Sequence, residues 1–200
     1  RSTAVAVACW WLALAVLGLA ALPLTYTVFG RLRGRGYLFA RSLGLLVVGY
    51  INWLLASLGL LGNRLTTLWL GIAVLAALSA WLTWRQQAAF AAWLREHRRF
   101  ILFSEALFAA AFLLFVGSRI LNPDLWQPWN GGEKSMEFAF LNAIVRSPSF
   151  PPYDPYYAHG YMNYYYYGQY LMAVLIKLTG ITPSVGFNLA VATLFALTVA

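Results

Sequence analysis

Charge is scarce in this chain of 200 residues. Asp, Glu, Lys and Arg make up 10% of it, against about 25% in an ordinary soluble domain. Acids are scarcest, with six Asp and Glu against fourteen Lys and Arg. There is one cysteine, Cys9, inside an apolar run. It excludes an intrachain disulfide and a cysteine-based metal cluster, and leaves a small buried hydrophobe as the simplest reading. With 62% hydrophobic residues, what remains is a chain that lives mostly in lipid. The net charge of +8 does not point to nucleic acid, because the bases are nearly all arginines in short loops between apolar runs. That is the pattern of topology signals and anionic-lipid contacts.

The apolar runs are long. A bilayer core needs about 20 apolar residues in a helix, and residues 4–29, 42–61, 65–84 and 100–120 each reach or approach that length. Pro23 is expected to kink the first near its end. Residues 85–99 read instead as an interfacial helix, with Phe90, Trp93 and Leu94 on one face and Arg95, Arg98 and Arg99 crowding the end; His97 belongs to that basic cluster. Glu105 lies inside the fourth span, close to its basic end, where pairing with an arginine competes with a functional role. A fifth span is expected over 164–180, with Lys177 snorkelling to the cytoplasmic interface. Thr182 and Pro183 read as the cap and first residue of a sixth, truncated span. The expectation is an all-α, polytopic transmembrane bundle of about six spans. Residues 1–99 hold three spans and the interfacial helix, and residues 100–200 open a second membrane unit. The chain starts without methionine and stops inside an apolar run, as expected of a piece of a larger protein.

Arg31, Arg33, Arg35 and Arg41 form one basic cluster and Arg85, Arg95, Arg98 and Arg99 another, two spans apart. Both therefore fall on one side, which the positive-inside rule makes cytoplasmic in a multi-pass cell-membrane protein. Residues 121–163 are then extracytoplasmic, and their four acids against two bases fit that side.

This loop concentrates the polar and special residues. Six of the eight prolines lie between Asn122 and Tyr156, and eight of the twelve tyrosines between Tyr153 and Tyr167. The segment NPDLWQPWNGG reads as irregular, with Trp126 and Trp129 at headgroup level. Residues 135–145 read as a short helix on the membrane surface, capped by Ser135. Asp124, Glu137 and Asp154 are the candidate acids: a carboxylate at a membrane surface can act as general base or hold a divalent cation. Each could equally cap a turn or helix. His159 could donate a proton or contact phosphate, or simply be a structural histidine. Tyr164, Tyr165, Tyr166 and Tyr167 are expected to cover every face of one helical turn. Such a run serves as an aromatic belt, and its inward members can line a wet pocket.

The motifs GGEKSMEFAFLNAI, FPPYDPYY and GYMNYYYYG resemble those of the Chlor_Arch_YYY family of membrane proteins, named for the tyrosine run. That resemblance implies fold and location but no activity. The layout of the loop also resembles, more weakly, the first outer loop of the GT-C membrane glycosyltransferases. Met136-Glu137 stands where that family has an acidic pair, residues 139–144 fall on its interfacial helix, and residues 160–167 on its re-entry segment. Only one acid occupies the pair, and tyrosines replace the usual Pro-Pro. The resemblance implies a transferase using a polyprenyl-phosphate sugar on the outer face, with Glu137, Asp124 or Asp154 as catalytic acid. The substrate-binding residues would be Arg119, Lys134, His159, Tyr161, Asn163 and Tyr164 to Tyr167, with Arg146 a further base for donor phosphate. The rival expectation is a non-enzymatic transporter or envelope-lipid scaffold.

Overall fold

The computed structural model describes residues 2–124 and 134–200. Trp126, Trp129, Glu133 and most of NPDLWQPWNGG lie outside the described residues. Helix α1 (Thr3–Val28) is the axis of the bundle. Ser2 caps it through its side chain, which accepts from the Val5 N–H at 3.5 Å. Trp10, Leu14, Leu17 and Ala21 recur every three to four residues and are fully buried, giving α1 one inward stripe. Helices α2 (Ala40–Ser57) and α3 (Leu65–Arg85) pack on it. In lipid the bulk hydrophobic drive between helices is lost, so close backbone approach has to hold them. Gly44 supplies it: a Cβ there would stand 2.2 Å from the Leu17 carbonyl oxygen. The Ser79 hydroxyl, donating to the Ala20 carbonyl, ties α3 to the same helix.

Between α1 and α2 the chain makes a tight turn, Arg33–Phe39, in which Gly34, Arg35 and Gly36 all have positive φ (70°, 47° and 72°). The RGRG sequence suits that path, since glycine takes the left-handed region without a steric cost. At the same end, α3 breaks at Gln86 into α4 (Gln87–Glu96), which breaks at His97 into α5 (Arg98–Leu121). The aromatic face of α4 is where the sequence places it, but it turns onto protein rather than lipid. Tyr26 of α1 meets Phe90 edge-on at 5.1 Å and Trp93 at 5.2 Å, and His97 stacks on Trp93 at 5.5 Å. The two arginine clusters therefore do share one end of the bundle.

Glu105 is paired, as its position near that end allows. Arg41 bridges to one carboxylate oxygen, the Tyr37 hydroxyl donates to the other at 2.6 Å, and the Arg41 guanidinium lies 4.1 Å over the Phe108 ring.

At the opposite end sit α6 (Lys134–Arg146), α7 (Tyr167–Thr179) and the start of α8 (Pro183–Val199). The all-α membrane architecture is as expected, and four helices, α1, α3, α5 and the turn with α2, are long and apolar enough to cross a bilayer. The count of six is only approximate: α8, at 17 residues, and α7, at 13, both fall short of that length, and α7 departs furthest from the expectation. Its thirteen residues would rise only about 20 Å. It starts beside Trp53 of α2, whose Nε1 donates to the Tyr166 hydroxyl at 3.0 Å, and ends beside the α2–α3 turn, where Lys177 Nζ donates to the Asn63 carbonyl at 2.7 Å. Helix α8 then begins next to the end of α5, with Asn188 accepting from Arg119 Nε at 2.6 Å. Both ends of α7 thus lie at the end away from the arginines. It enters and leaves on one side, and Lys177 does not snorkel to the arginine-rich face. The reason is burial: Tyr170, Met172, Ala173, Val174, Leu175 and Ile176 are all buried, so α7 is a core element and not a lipid-facing span.

Candidate functional site

Helix α6 positions the acid singled out by the sequence. It begins at Lys134, so Ser135 lies in its first turn and not at the cap. Phe140, Leu141, Ala143 and Ile144 are buried against α7 and α8, and Phe138 meets Phe187 of α8 edge-on at 6.1 Å. The surface helix is thus pinned to the bundle by its apolar face. That leaves Glu137 half-buried at the mouth of a slot of about 160 Å³ between α6, α7 and α8. The slot is lined by Leu141, Gln169 and Met172 on one side, and by Phe187, Ala190, Val191 and Leu194 of α8 on the other. Gln169 Oε1 is buried beside it with no hydrogen-bond partner among the described residues. Lys134, three residues before Glu137, shares its face of α6.

On the other side of α8 lies a second cavity, of about 240 Å³, lined by Thr3 and Val7 of α1, Val116 and Arg119 of α5, and Val185 and Asn188 of α8. Arg119 is fixed there by Asn188 and by the backbone carbonyl of Asp124, at 3.3 Å. Asp124 therefore belongs to the Arg119–Asn188 corner, and α8 stands between it and Glu137.

Asp154 takes a turn role. Its carboxylate accepts the Tyr156 N–H at 2.8 Å, and its own N–H donates to the Gly160 carbonyl at 3.0 Å. Tyr153 and Tyr161 form an antiparallel bridge across the same turn, and His159 sits exposed at its tip with φ 62°. Tyr161, Asn163, Tyr164 and Tyr165 are exposed as well, Tyr165 at 92%. The tyrosine run is not one helical turn: α7 starts only at Tyr167. Its members divide, with Tyr164 lying 5.7 Å from Phe140, Tyr166 stacking on Phe150, and Tyr167 meeting Trp53 edge-on at 5.9 Å. The run thus braces the loop against α2 and α6, and none of it lines the Glu137 slot. Among the described residues no three His, Cys, Asp or Glu side chains gather as a metal site.

The sequence reading missed the polar network that holds this end together. Asn52 Nδ2 donates to Asn63 Oδ1 at 3.0 Å and to the Tyr170 hydroxyl at 2.8 Å, and Tyr170 donates to the Gly49 carbonyl at 2.7 Å. Asn63 Nδ2 donates to the carbonyls of Ile144 (3.1 Å) and Ser147 (2.9 Å) at the end of α6. One buried asparagine in the α2–α3 turn thus fixes the helix that carries Glu137. The only sequence signal was Asn52 inside an apolar span, a polar group that needs a partner there.

A bundle of long apolar helices, four of them long enough to cross a bilayer, defines a multi-pass α-helical membrane protein. Residues 47–200 match an uncharacterized membrane protein family (DUF2298), and the chain belongs to it. No curated protein and no solved structure matches it.

Proposed function

We propose that the chain forms part of a membrane transferase of GT-C type, which moves a sugar from a polyprenyl-phosphate donor on the extracytoplasmic face. The observation that carries this reading is the placement of Glu137, held by a pinned surface helix at the mouth of a slot that runs into the membrane region. An ionised carboxylate accepts a proton, so Glu137 acts as general base on an acceptor hydroxyl. Lys134 stands on the same face to offset phosphate charge, and Arg119 faces the separate cavity beyond α8. The arginine-rich end is cytoplasmic in this reading, which puts residues 121–163 outside.

The test is turnover of radiolabelled polyprenyl-phosphate sugars by the purified full-length protein. Glu137→Gln should lose about 100- to 10,000-fold in rate while inserting normally. Full activity in that variant, with Asp124→Asn inactive, would move the base to Asp124. Activity in both would remove the mechanism.

A second reading is favoured by α7 itself. A helix that enters and leaves on one side, beside buried Asn52 and Tyr170, is a feature that transporters share. Substrate-dependent flux through proteoliposomes without any transfer product would establish it instead.

A further inference from the structure

We propose that the slot between α6, α7 and α8 binds an uncharged, hydroxyl-bearing amphiphile that arrives from the bilayer, its hydroxyl between Glu137 and Gln169 and its chain along α8. The polar end of the slot offers acceptors. Among the described residues Gln169 Oε1 is buried without a partner, and a turn of its side chain brings it to a ligand in the slot; Glu137 has no ion pair with any of them. A buried acceptor left unpaired is costly, and a ligand that donates to it relieves that cost. The head must therefore donate. A phosphate or carboxylate head would meet the charge of Glu137, the one charged residue that lines the slot. A neutral hydroxyl donates and avoids that repulsion.

The remainder of the slot defines the tail. Phe187, Ala190, Val191 and Leu194 follow one face of α8. They run about 10 Å from the polar end towards the membrane interior. Leu194 at the far end is 55% exposed, so the trough opens sideways where acyl or isoprenoid chains lie. Met172 and Leu141 close its other wall.

This deepens the transferase reading and rests on it for one point only, that the bound hydroxyl is the acceptor. Binding can be tested without turnover. The probe is a long-chain primary alcohol carrying a diazirine in mid-chain, applied to the full-length protein in nanodiscs, with labelled peptides located by mass spectrometry. Labelling should concentrate in α6, α7 and α8, saturate, and be competed by the unlabelled alcohol. The matched fatty acid and alkyl phosphate should compete at least tenfold less well. Gln169→Leu should weaken labelling about tenfold, the worth of one hydrogen bond. Ala190→Phe, which fills the trough and leaves the polar groups in place, should abolish it in a protein of normal thermal stability. Non-saturating labelling spread over all lipid-facing helices, or equal competition by the charged analogues, would overturn the proposal. So would wild-type labelling in Ala190→Phe. If saturable labelling is found and the wild-type protein turns over no polyprenyl-phosphate sugar, the transferase reading fails and the site stands. If labelling fails and Glu137→Gln is inactive, the reverse holds.

Discussion

Lys177 Nζ donates to the backbone carbonyl of Asn63 at 2.7 Å, joining the last turn of α7 to the turn between α2 and α3. A cation at a helix C-terminus is favoured by the helix dipole. This one is half-buried and has no carboxylate partner among the described residues. The Asn63 side chain faces the other way, to the carbonyls that end α6. The two residues therefore join three segments that lie far apart in sequence.

Asn63→Ala should be the more damaging change of the two. It strands the Ile144 and Ser147 carbonyls and one Asn52 donor contact. A buried group left unsatisfied costs about 1–3 kcal/mol, so a loss of about 3 kcal/mol or more is expected, with new protease cleavage after α6. Lys177→Met keeps the apolar stem and should cost about 1–2 kcal/mol. Thermal unfolding in detergent ranks the two; an equal or reversed order would refute the bracing role of the Asn63 side chain.

Tyr170, just past the tyrosine run, should matter more for stability than the exposed Tyr165 within it. Tyr170→Phe removes a buried hydroxyl that donates to Gly49 and accepts from Asn52, at an expected cost of about 1–3 kcal/mol. Tyr165→Phe alters a residue 92% exposed and should be silent, within about 0.5 kcal/mol. The same unfolding assay reads both.

The Arg41–Glu105 pair makes a sign-sensitive test. Glu105→Leu leaves Arg41 uncompensated within the span and should destabilise by about 3–5 kcal/mol. Adding Arg41→Leu removes the stranded charge and should recover most of that loss. A double variant no better than the single one would show that the pair is not what balances these charges.

Cysteine scanning checks the path of the chain. On a Cys9→Ala background, cysteines at Ser149 and Gly180 should react from one side of sealed cells or vesicles, because α7 enters and leaves together. A cysteine at Gln87 should react only from the other side. With the arginine-rich end inside, an impermeant reagent on intact cells labels the first two. Labelling of Gly180 together with Gln87 would make α7 a crossing helix.

The membrane bundle was legible because long apolar runs admit few other structures. The shared end of the two arginine clusters followed from counting runs between them. Glu105 was legible for the same reason, as an acid in lipid close to bases. The path of α7 was not legible: YGQYLMAVLIKLT is mostly apolar, and composition alone does not separate a short core helix from a span. Nor was Asn63, since Gly-Asn-Arg between two apolar runs reads only as a turn, and the α6 carbonyls it holds lie more than eighty residues away. The tyrosine run misled because a helix was assumed to start before Tyr167. For the candidate site, Glu137 was picked out by sequence, while Gln169 and the α8 trough appear only once three helices are brought together.

The region matched to the family starts at residue 47, inside α2, so α1 falls before it. Yet Trp10 of α1 donates to the Thr193 hydroxyl of α8 at 2.9 Å, and the close approach of Leu17 to Gly44 lies ahead of the match as well. The family segment therefore does not coincide with the folding unit. Residues 47–200 alone would carry an open groove where α1 lies, shaped for one tryptophan. The helix that precedes the family segment is therefore a wall of the same core, and a boundary drawn by family likeness cuts through packing that is continuous.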